Sequence, residues 1–184
     1  MNITDLISYV APEVPGCNAI TIERAIHDAV RAFCSATWAW EHAAAAWIRA
    51  GKDTGVIRLP ASMGICGIVS WKSETTREHP ALYRDNEIQV RQAPAADVRY
   101  DLTLAVMPSR KETDFPDWLD ARYREAITAY ARHLLLMLPG KDWTNPGRAQ
   151  TLYQIYTDAV NDVKRERNNN RLRGVMRVRV PGAL

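Results

Sequence analysis

The side chains best suited to acid–base, nucleophilic or metal chemistry are few and scattered along this sequence. A metal site needs His, Cys, Asp or Glu at ligand spacing, and a catalytic site needs polar groups that converge. His27 and Cys34 lie about two helical turns apart, whereas the remaining thiols and imidazoles stand alone: Cys17, Cys66, His42, His79 and His133. We therefore predict ordinary core and surface roles for all of them, with no metal and no cofactor.

Two further patterns resemble functional motifs but have simpler structural explanations. The stretch GKDTG at residues 51–55 lacks the GxxxxGK[ST] spacing of a phosphate-binding loop and is typical of a hairpin turn. Asp117 and Asp120 form a possible carboxylate pair, but acidic residues at a helix N-terminus complement the helix dipole. The sequence contains no GxSxG, HExxH or GxGxxG motif. We predict that the protein is not an enzyme.

The strongest charge feature is the C-terminal stretch KRERNNNRLRGVMRVRVPGAL. Of the 24 Lys and Arg and the 21 Asp and Glu in the chain, this stretch holds seven and one, so the remainder is mildly acidic. An acidic body with a basic extension indicates an interaction arm rather than a surface that coats nucleic acid. Since the stretch has too few apolar residues for a core of its own, we expect a partner to hold it.

Cysteine usage and hydropathy set the expected cellular compartment. An odd number of widely spaced cysteines suits a reducing environment. No stretch reaches the roughly 18 apolar residues of a membrane span, and the N-terminus lacks the basic and apolar regions of a signal peptide. These features predict a soluble protein that is made in a cytoplasm and has no membrane partner.

Helical periodicity is present near both ends of the chain. Ile3–Val10 has one apolar face and stops at APEVPG, and Asn18 can cap a second helix that runs to about Thr37. Further along, Asp114 is the expected cap of a third helix. Asn145, followed by proline, is the expected cap of a fourth helix, whose apolar face ends near Lys164.

Between these helices the pattern changes to that of short strands. AAAAWIRA–GKDTG–VIRLP indicates a hairpin, and GICGIVSWKS, ALYRDN, EIQVRQA and VRYDLTLAVMP indicate antiparallel strands. Tryptophans cluster around the junction of helices and strands, and we assign them to packing between the two: Trp38, Trp40, Trp47 and Trp71.

The expected fold class is α+β, with a bundle of about four helices, an inserted small antiparallel β-region and an extended C-terminal arm. We assign residues 1–42 to the N-terminal helices of the bundle and residues 43–112 to the inserted β-region. Residues 113–164 then form the C-terminal helices, and residues 165–184 form the basic extended arm.

The N-terminal ITDLISYVAPEVPGC, followed by an amphipathic helix that ends in FCSATWAW, resembles the head-to-tail adaptor (connector) proteins of tailed bacteriophages, especially the podovirus-type tail tubular and adaptor proteins. The order of a short helix, PEVPGC, a second helix, a β-region, two helices and an Arg-rich end is similar over nearly the whole chain. The AAAA run is a departure, because that family usually has a more β-prone strand there.

This resemblance implies a structural protein of the virion, located at the head–tail junction. It implies a ring, typically dodecameric, that sits beneath the portal protein and continues the DNA channel toward the tail. The expected partners are the portal, a downstream tail protein (nozzle, stopper or tail tube), other copies of the chain, and DNA that passes through the lumen without sequence specificity. The β-region is expected to help present the next tail component.

The resemblance also implies that the C-terminal arm binds the portal or a neighbouring subunit. Val175, Arg177 and Arg179 alternate with Met176, Val178 and Val180, as an added β-strand requires. The arginines can instead pair with acidic side chains of a partner or with DNA phosphates. The candidate partner-binding residues are Arg165, Arg167, Arg171, Arg173, Val175, Arg177, Val178, Arg179, Val180 and Leu184.

The alternative hypothesis is a nucleic-acid-binding accessory or regulatory protein that uses the basic tail. It predicts an affinity for duplex DNA that falls steeply with salt. The acidic body and the lack of a clear helix-turn-helix signature count against it.

Overall fold

The computed structural model describes residues 2–172, with side chains up to residue 169. This part of the chain folds into four α-helices and six β-strands. In chain order they are α1 (Ile3–Val10), α2 (Ala19–Thr37), β1 (Glu41–Ile48), β2 (Thr54–Ile57), β3 (Met63–Lys72), β4 (Ala81–Arg84), β5 (Glu87–Gln89), β6 (Val98–Pro108), α3 (Asp117–Leu136) and α4 (Pro146–Leu172).

The four helices share one apolar core. Side chains such as Leu6 of α1, Phe33 of α2 and Leu152 of α4 are almost fully buried in it. Asn18 caps α2 as predicted, because its side chain accepts a hydrogen bond of 2.8 Å from the amide of Thr21. Within residues 2–172, none of the helices combines the length and the apolarity that crossing a bilayer requires.

The PEVPG segment joins α1 to α2 and is attached to the other two helices by one carboxylate. Residues Ala11–Glu13 form a single 3₁₀ turn. Glu13 contacts Arg132 of α3 at 2.6 Å and Arg148 of α4 at 3.1 Å. The hydrogen bond from Arg148, together with Arg132, lowers the pKa of Glu13. This motif therefore has a structural role in the helical body.

The six strands form one antiparallel sheet in the order β3-β6-β1-β2-β5-β4. The edge strands β3 and β4 approach each other, so the sheet curls into a nearly closed barrel. Its interior is a second apolar core that includes Ile48, Ile88 and Leu104. Trp40 packs against both cores and links the barrel to the helices.

The predicted fold class, a helical bundle with a small inserted β-region, is therefore wrong. The sheet is a substantial unit with its own core, and the protein is an α+β structure in which a barrel stands beside four helices. Local patterns located the individual strands, but the curling of the sheet depends on pairing between distant segments. The long strand β6 pairs with both β1 and β3 and so joins segments that are distant in the chain.

The predicted hairpin at GKDTG is confirmed by the antiparallel pairing of β1 with β2. Gly51 has a φ of 73°, a left-handed conformation that glycine adopts without strain. Its amide donates a hydrogen bond of 2.8 Å to the carbonyl of Pro94. The loop is thus a connection between strands, packed against a neighbouring loop.

Two predicted helix ends are wrong. The cap position of α3 is Pro116 rather than Asp114, because Asp114 instead pairs with Asn2 at the start of the chain. α4 continues to Leu172 instead of ending near Lys164. Residues 165–172 of the predicted extended arm are therefore helical, because polar contacts with the body, described below, replace the missing apolar face. Residues 173–184 lie outside the described part of the chain.

Candidate functional site

The thiols lie in structural positions. Cys34 is fully buried in the helical core, and burial raises its pKa to about 12. Cys66 on β3 is partly buried, and burial raises its pKa to about 11. Among the described residues, no group of three or more His, Cys, Asp or Glu side chains is arranged to hold a metal ion.

Three of the four imidazoles serve the fold by contacting backbone carbonyls. His27 lies 2.9 Å from the carbonyl oxygen of Ser109, and His133 lies 2.9 Å from that of Ala149. His79 is 2.8 Å from the carbonyl oxygen of Pro80. Because a carbonyl only accepts, each contacting ring nitrogen carries the proton. The contacts of His27 and His133 join separate parts of the chain, whereas that of His79 is local, with the next residue.

The acidic pair proposed at the start of α3 also has a structural role. Asp117 and Asp120 occupy the first turn of the helix, as predicted. Asp120 forms an ion pair with Arg124 one turn later, and this contact lowers the pKa of Asp120. The Asp120 carboxylate is therefore engaged in an ion pair within its own helix.

The best-defined site is the base of the basic C-terminal segment, where α4 passes the last buried position of its apolar face at Val163. Glu166 forms an ion pair with Arg122 of α3, with 2.5 Å between the guanidinium nitrogen and the carboxylate oxygen. The hydrogen bond with Glu166 raises the pKa of Arg122. Both side chains are about half exposed, so the pair contributes modestly to stability.

Arg167, one residue further, makes the more buried contact. Its guanidinium donates a hydrogen bond of 2.8 Å to the carbonyl oxygen of Thr37, the last residue of α2. The same guanidinium lies over the ring of Trp38, 4.9 Å from the ring centroid. A cation–π contact and a charge-assisted hydrogen bond together fix this turn of α4 against the end of α2.

Trp38 in turn connects this site to the barrel. It is the only non-glycine residue with a positive φ within residues 2–172, at 55°, and its amide donates to the carbonyl of Cys34. Its ring lies directly on Gly67 of β3, where a side chain would clash. Arg167, Trp38 and Gly67 thus form a continuous stack. We call these three residues, together with Arg122 and Glu166, the arm base.

The predicted partner-binding residues differ in their contacts and in whether the structure describes them. Arg167 contacts the body of its own chain, whereas Arg165 is exposed and pairs with Asp162 on the same helix. Arg171 lies in the last helical turn, where only the backbone is described. The other candidates lie outside the described residues: Arg173, Val175, Arg177, Val178, Arg179, Val180 and Leu184.

Sequence reasoning missed three members of the arm base. Arg122 was assigned to the third helix, Glu166 to the extended arm and Gly67 to a strand, and no contact was predicted for any of them. The signal that was available was the tryptophan cluster at the helix–strand junction. Trp38 and Trp40 do pack there, as predicted. Trp47 does not, since it is 52% exposed on the outer face of β1.

No protein-family model matches this chain, and the comparison with curated proteins finds no significant match.

Proposed function

We propose that this chain is a structural head-to-tail adaptor of a tailed phage or phage-like particle. In this proposal it forms a dodecameric ring between portal and tail in the virion. The lumen of the ring lets DNA pass without reading its sequence. The C-terminal segment binds the portal or a neighbouring subunit, and the barrel faces the next tail component.

The order of elements supports this proposal. The sequence resembles the adaptor family through a short helix, PEVPGC, a second helix, a β-region and two further helices. The described chain has helices and strands in this order. Glu13, within the motif, forms ion pairs with Arg132 and Arg148. The motif therefore attaches the connection between α1 and α2 to the other two helices.

The observation that carries the proposal is the arm base. α4 extends past its own apolar face, and Glu166 and Arg167 attach it to α3 and α2. The basic residues that follow therefore start from a fixed point. Pre-organisation of this kind lowers the entropy lost on binding, and weak contacts repeated around a closed ring add up to strong attachment.

The test is deletion of residues 171–184, which keeps the arm base intact. We expect an unchanged unfolding temperature and loss of binding to portal rings from the same particle, measured by native mass spectrometry and electron microscopy. The matched control is the full-length chain with glutamine at positions 171, 173, 177 and 179, which removes charge but keeps the backbone. Binding of the deleted chain with full affinity, or no binding by the unaltered chain, would refute the proposal.

The full-length and deleted chains also distinguish the adaptor proposal from the alternative of a DNA-binding protein. A gel-shift series with duplex DNA at low and moderate salt measures the nucleic-acid affinity of the full-length chain. An adaptor that only lets DNA pass binds weakly and without sequence preference. Tight binding that the deletion abolishes, together with no binding to portal, would favour the nucleic-acid alternative instead.

A further inference from the structure

The barrel is open along one side, between its two edge strands. β3 pairs with β6 along one edge, and within residues 2–172 no strand pairs with its other edge. The opposite edge strand, β4, has four residues against the ten of β3, so it can cover only part of that edge. Trp71 contacts His79, which comes just before β4, so β4 lies beside the end of β3. The uncovered part is residues 63–68.

The barrel core is incomplete along the same side. Ile48 of β1, Ile57 of β2 and Leu104 of β6 lie on strands that are paired along both edges, and each is at most 2% exposed. Four side chains of β3 pack against the same core but are only partly buried: Met63, Ile65, Ile68 and Trp71. An additional strand with an apolar face would pair with the open edge and complete this core.

The sequence that follows α4 has the pattern of such a strand. Gly174 and Pro181 enclose the six residues VMRVRV, which we call the VMRVRV segment. Six residues is an ordinary strand length, valine is favoured in strands, and proline cannot continue the pairing. Alternate positions give one wholly apolar set and one set that contains two arginines: Met176, Val178 and Val180 against Val175, Arg177 and Arg179. The apolar set suits the open core, and the arginines suit solvent.

The end of α4 lies close to the open edge. Arg167 lies over the ring of Trp38, and that ring lies on Gly67 of β3. Leu172, the last residue of α4, is only about 8 Å further along the helix at roughly 1.5 Å per residue. Two residues then lead to the VMRVRV segment. So short a tether gives the segment an effective concentration on the order of millimolar at the edge of β3.

The same edge is poorly suited to a strand from another molecule. The pairing of β3 with β6 is irregular at Cys66 and at Val69. Irregularities of this kind twist an edge strand and discourage pairing between separate molecules. A tethered segment overcomes that disadvantage through its effective concentration, which a second copy of the chain does not have. The tether therefore favours the chain's own segment as the occupant.

We infer that the VMRVRV segment binds along residues 63–68 of β3 in the same chain, with Met176, Val178 and Val180 facing the barrel core. This inference concerns the isolated chain and does not depend on the adaptor function. To bind a portal or a neighbouring subunit, as proposed above, the segment would first have to leave β3. The open edge would then hold the segment until a partner competes for it.

Hydrogen exchange of the β3 amides tests this contact. In the full-length protein, the amides of residues 64–68 that do not bond to β6 should be protected. Deletion of residues 173–184 should speed their exchange by about tenfold or more. The amides of β1, two strands away in the sheet, are the internal control and should not change. The unfolding temperature does not report on the contact, because a short terminal segment leaves the sheet before the domain unfolds.

A matched pair of full-length variants tests which side of the segment faces the core. Val178→Arg places a charge among the apolar positions and should speed the exchange of residues 64–68 as much as the deletion does. Val175→Arg is the same change at one of the other positions and should leave the exchange unchanged.

The outcomes separate this inference from its alternatives and from the proposed function. It is overturned if the deletion leaves the exchange of residues 64–68 unchanged, or if the two valine variants behave alike. Protection that grows with protein concentration, together with dimers in sedimentation velocity, would mean that a second copy supplies the strand, which also overturns it. Failure of the chain to bind portal would refute the adaptor function and leave this contact unaffected.

Discussion

A Cβ atom placed on Gly67 would lie 2.5 Å from Cζ2 of Trp38 and 2.7 Å from Cη2. The indole ring therefore rests on the backbone of β3, with no room for even a methyl group. Trp38 has little freedom to move away. Its left-handed backbone is held by the hydrogen bond of 2.8 Å to Cys34, and Arg167 covers its ring.

We expect Gly67→Ala to lower the free energy of unfolding by about 1–3 kcal/mol, the usual cost of overpacking a closed site. Denaturant unfolding measures the change. Gly64→Ala on the same strand is the control, because its nearest neighbours are side-chain atoms of Met107 at 3.6 Å and 3.8 Å. The control should be within about 0.5 kcal/mol of the unaltered protein. Equal effects at both positions would show that the Trp38 ring yields easily.

Replacing Arg167 should lower the free energy of unfolding more than replacing Arg165, although both lie near the end of α4. Arg167→Ala removes the contacts with Thr37 and Trp38, and we expect it to cost about 1–3 kcal/mol. Arg165→Ala, a matched change two residues away, removes only an exposed pair with Asp162 and should cost less than about 0.5 kcal/mol. Thermal unfolding compares the two.

Hydrogen exchange of the amides in residues 164–172 adds a local readout for the same pair. Arg167→Ala should speed exchange there, since the end of α4 has lost its attachment to α2. Arg165→Ala should leave the exchange nearly unchanged. Protection that survives Arg167→Ala would mean that the ion pair between Arg122 and Glu166 is enough to hold the helix.

The parts of the structure that could be predicted from sequence are those with local signals. α1 and α2 were predicted with nearly their observed bounds, because helical spacing and the Asn18 cap are local signals. The strands of the β-region were located as well. The barrel was not, since it depends on the strand order, in which β6 pairs with both β1 and β3, and on the approach of the edge strands β3 and β4. No local pattern records that order.

The arm base was hidden for a related reason. Lys164 ends the apolar stripe of α4, and a stripe is the only evidence for a helix that periodicity supplies. Arg167 extends the helix by contacting Thr37 and Trp38, which lie about 130 positions earlier in the chain. A glycine such as Gly67 gives no local indication of the ring that will cover it. Contacts of this kind become visible only once the chain is folded.

Low pH should reduce the free energy of unfolding in part by protonating the carboxylate of Glu13. Its pKa in the folded protein is below the ordinary value of 4.5, because Arg148 and Arg132 bond to the carboxylate. The stabilisation is therefore fully present above that ordinary value and is lost as pH falls through the lowered pKa. We expect Glu13→Gln to cost about 1–2 kcal/mol at neutral pH.

The pH dependence of that cost is the measurement. Urea unfolding across pH 3–7 should show the difference between Glu13→Gln and the unaltered protein shrinking toward the acid end. Glu125→Gln on the exposed face of α3 is the control and should have little effect throughout. A cost that is the same at all pH values would mean that packing, rather than the carboxylate charge, holds the PEVPG segment in place.

The three thiols should react with iodoacetamide in a fixed order. The thiolate is the reacting species, so both burial and a raised pKa slow alkylation. Burial raises the pKa of Cys34 to about 12 and that of Cys66 to about 11. Burial also raises the pKa of Cys17, and there the positive charge of Lys141 opposes the shift. In the folded protein we expect Cys17 to react first, Cys66 next and Cys34 last, as followed by peptide mass spectrometry.

Cys34 also reports on the core itself. It is fully buried beside Phe33 and the end of α2, so its alkylation requires the helical core to open. Its rate should therefore follow global unfolding and rise with denaturant, whereas that of Cys17 should already be substantial without denaturant. In Arg167→Ala, faster labelling of Cys34 than the loss of global stability explains would show that the arm base also prevents local opening of the end of α2.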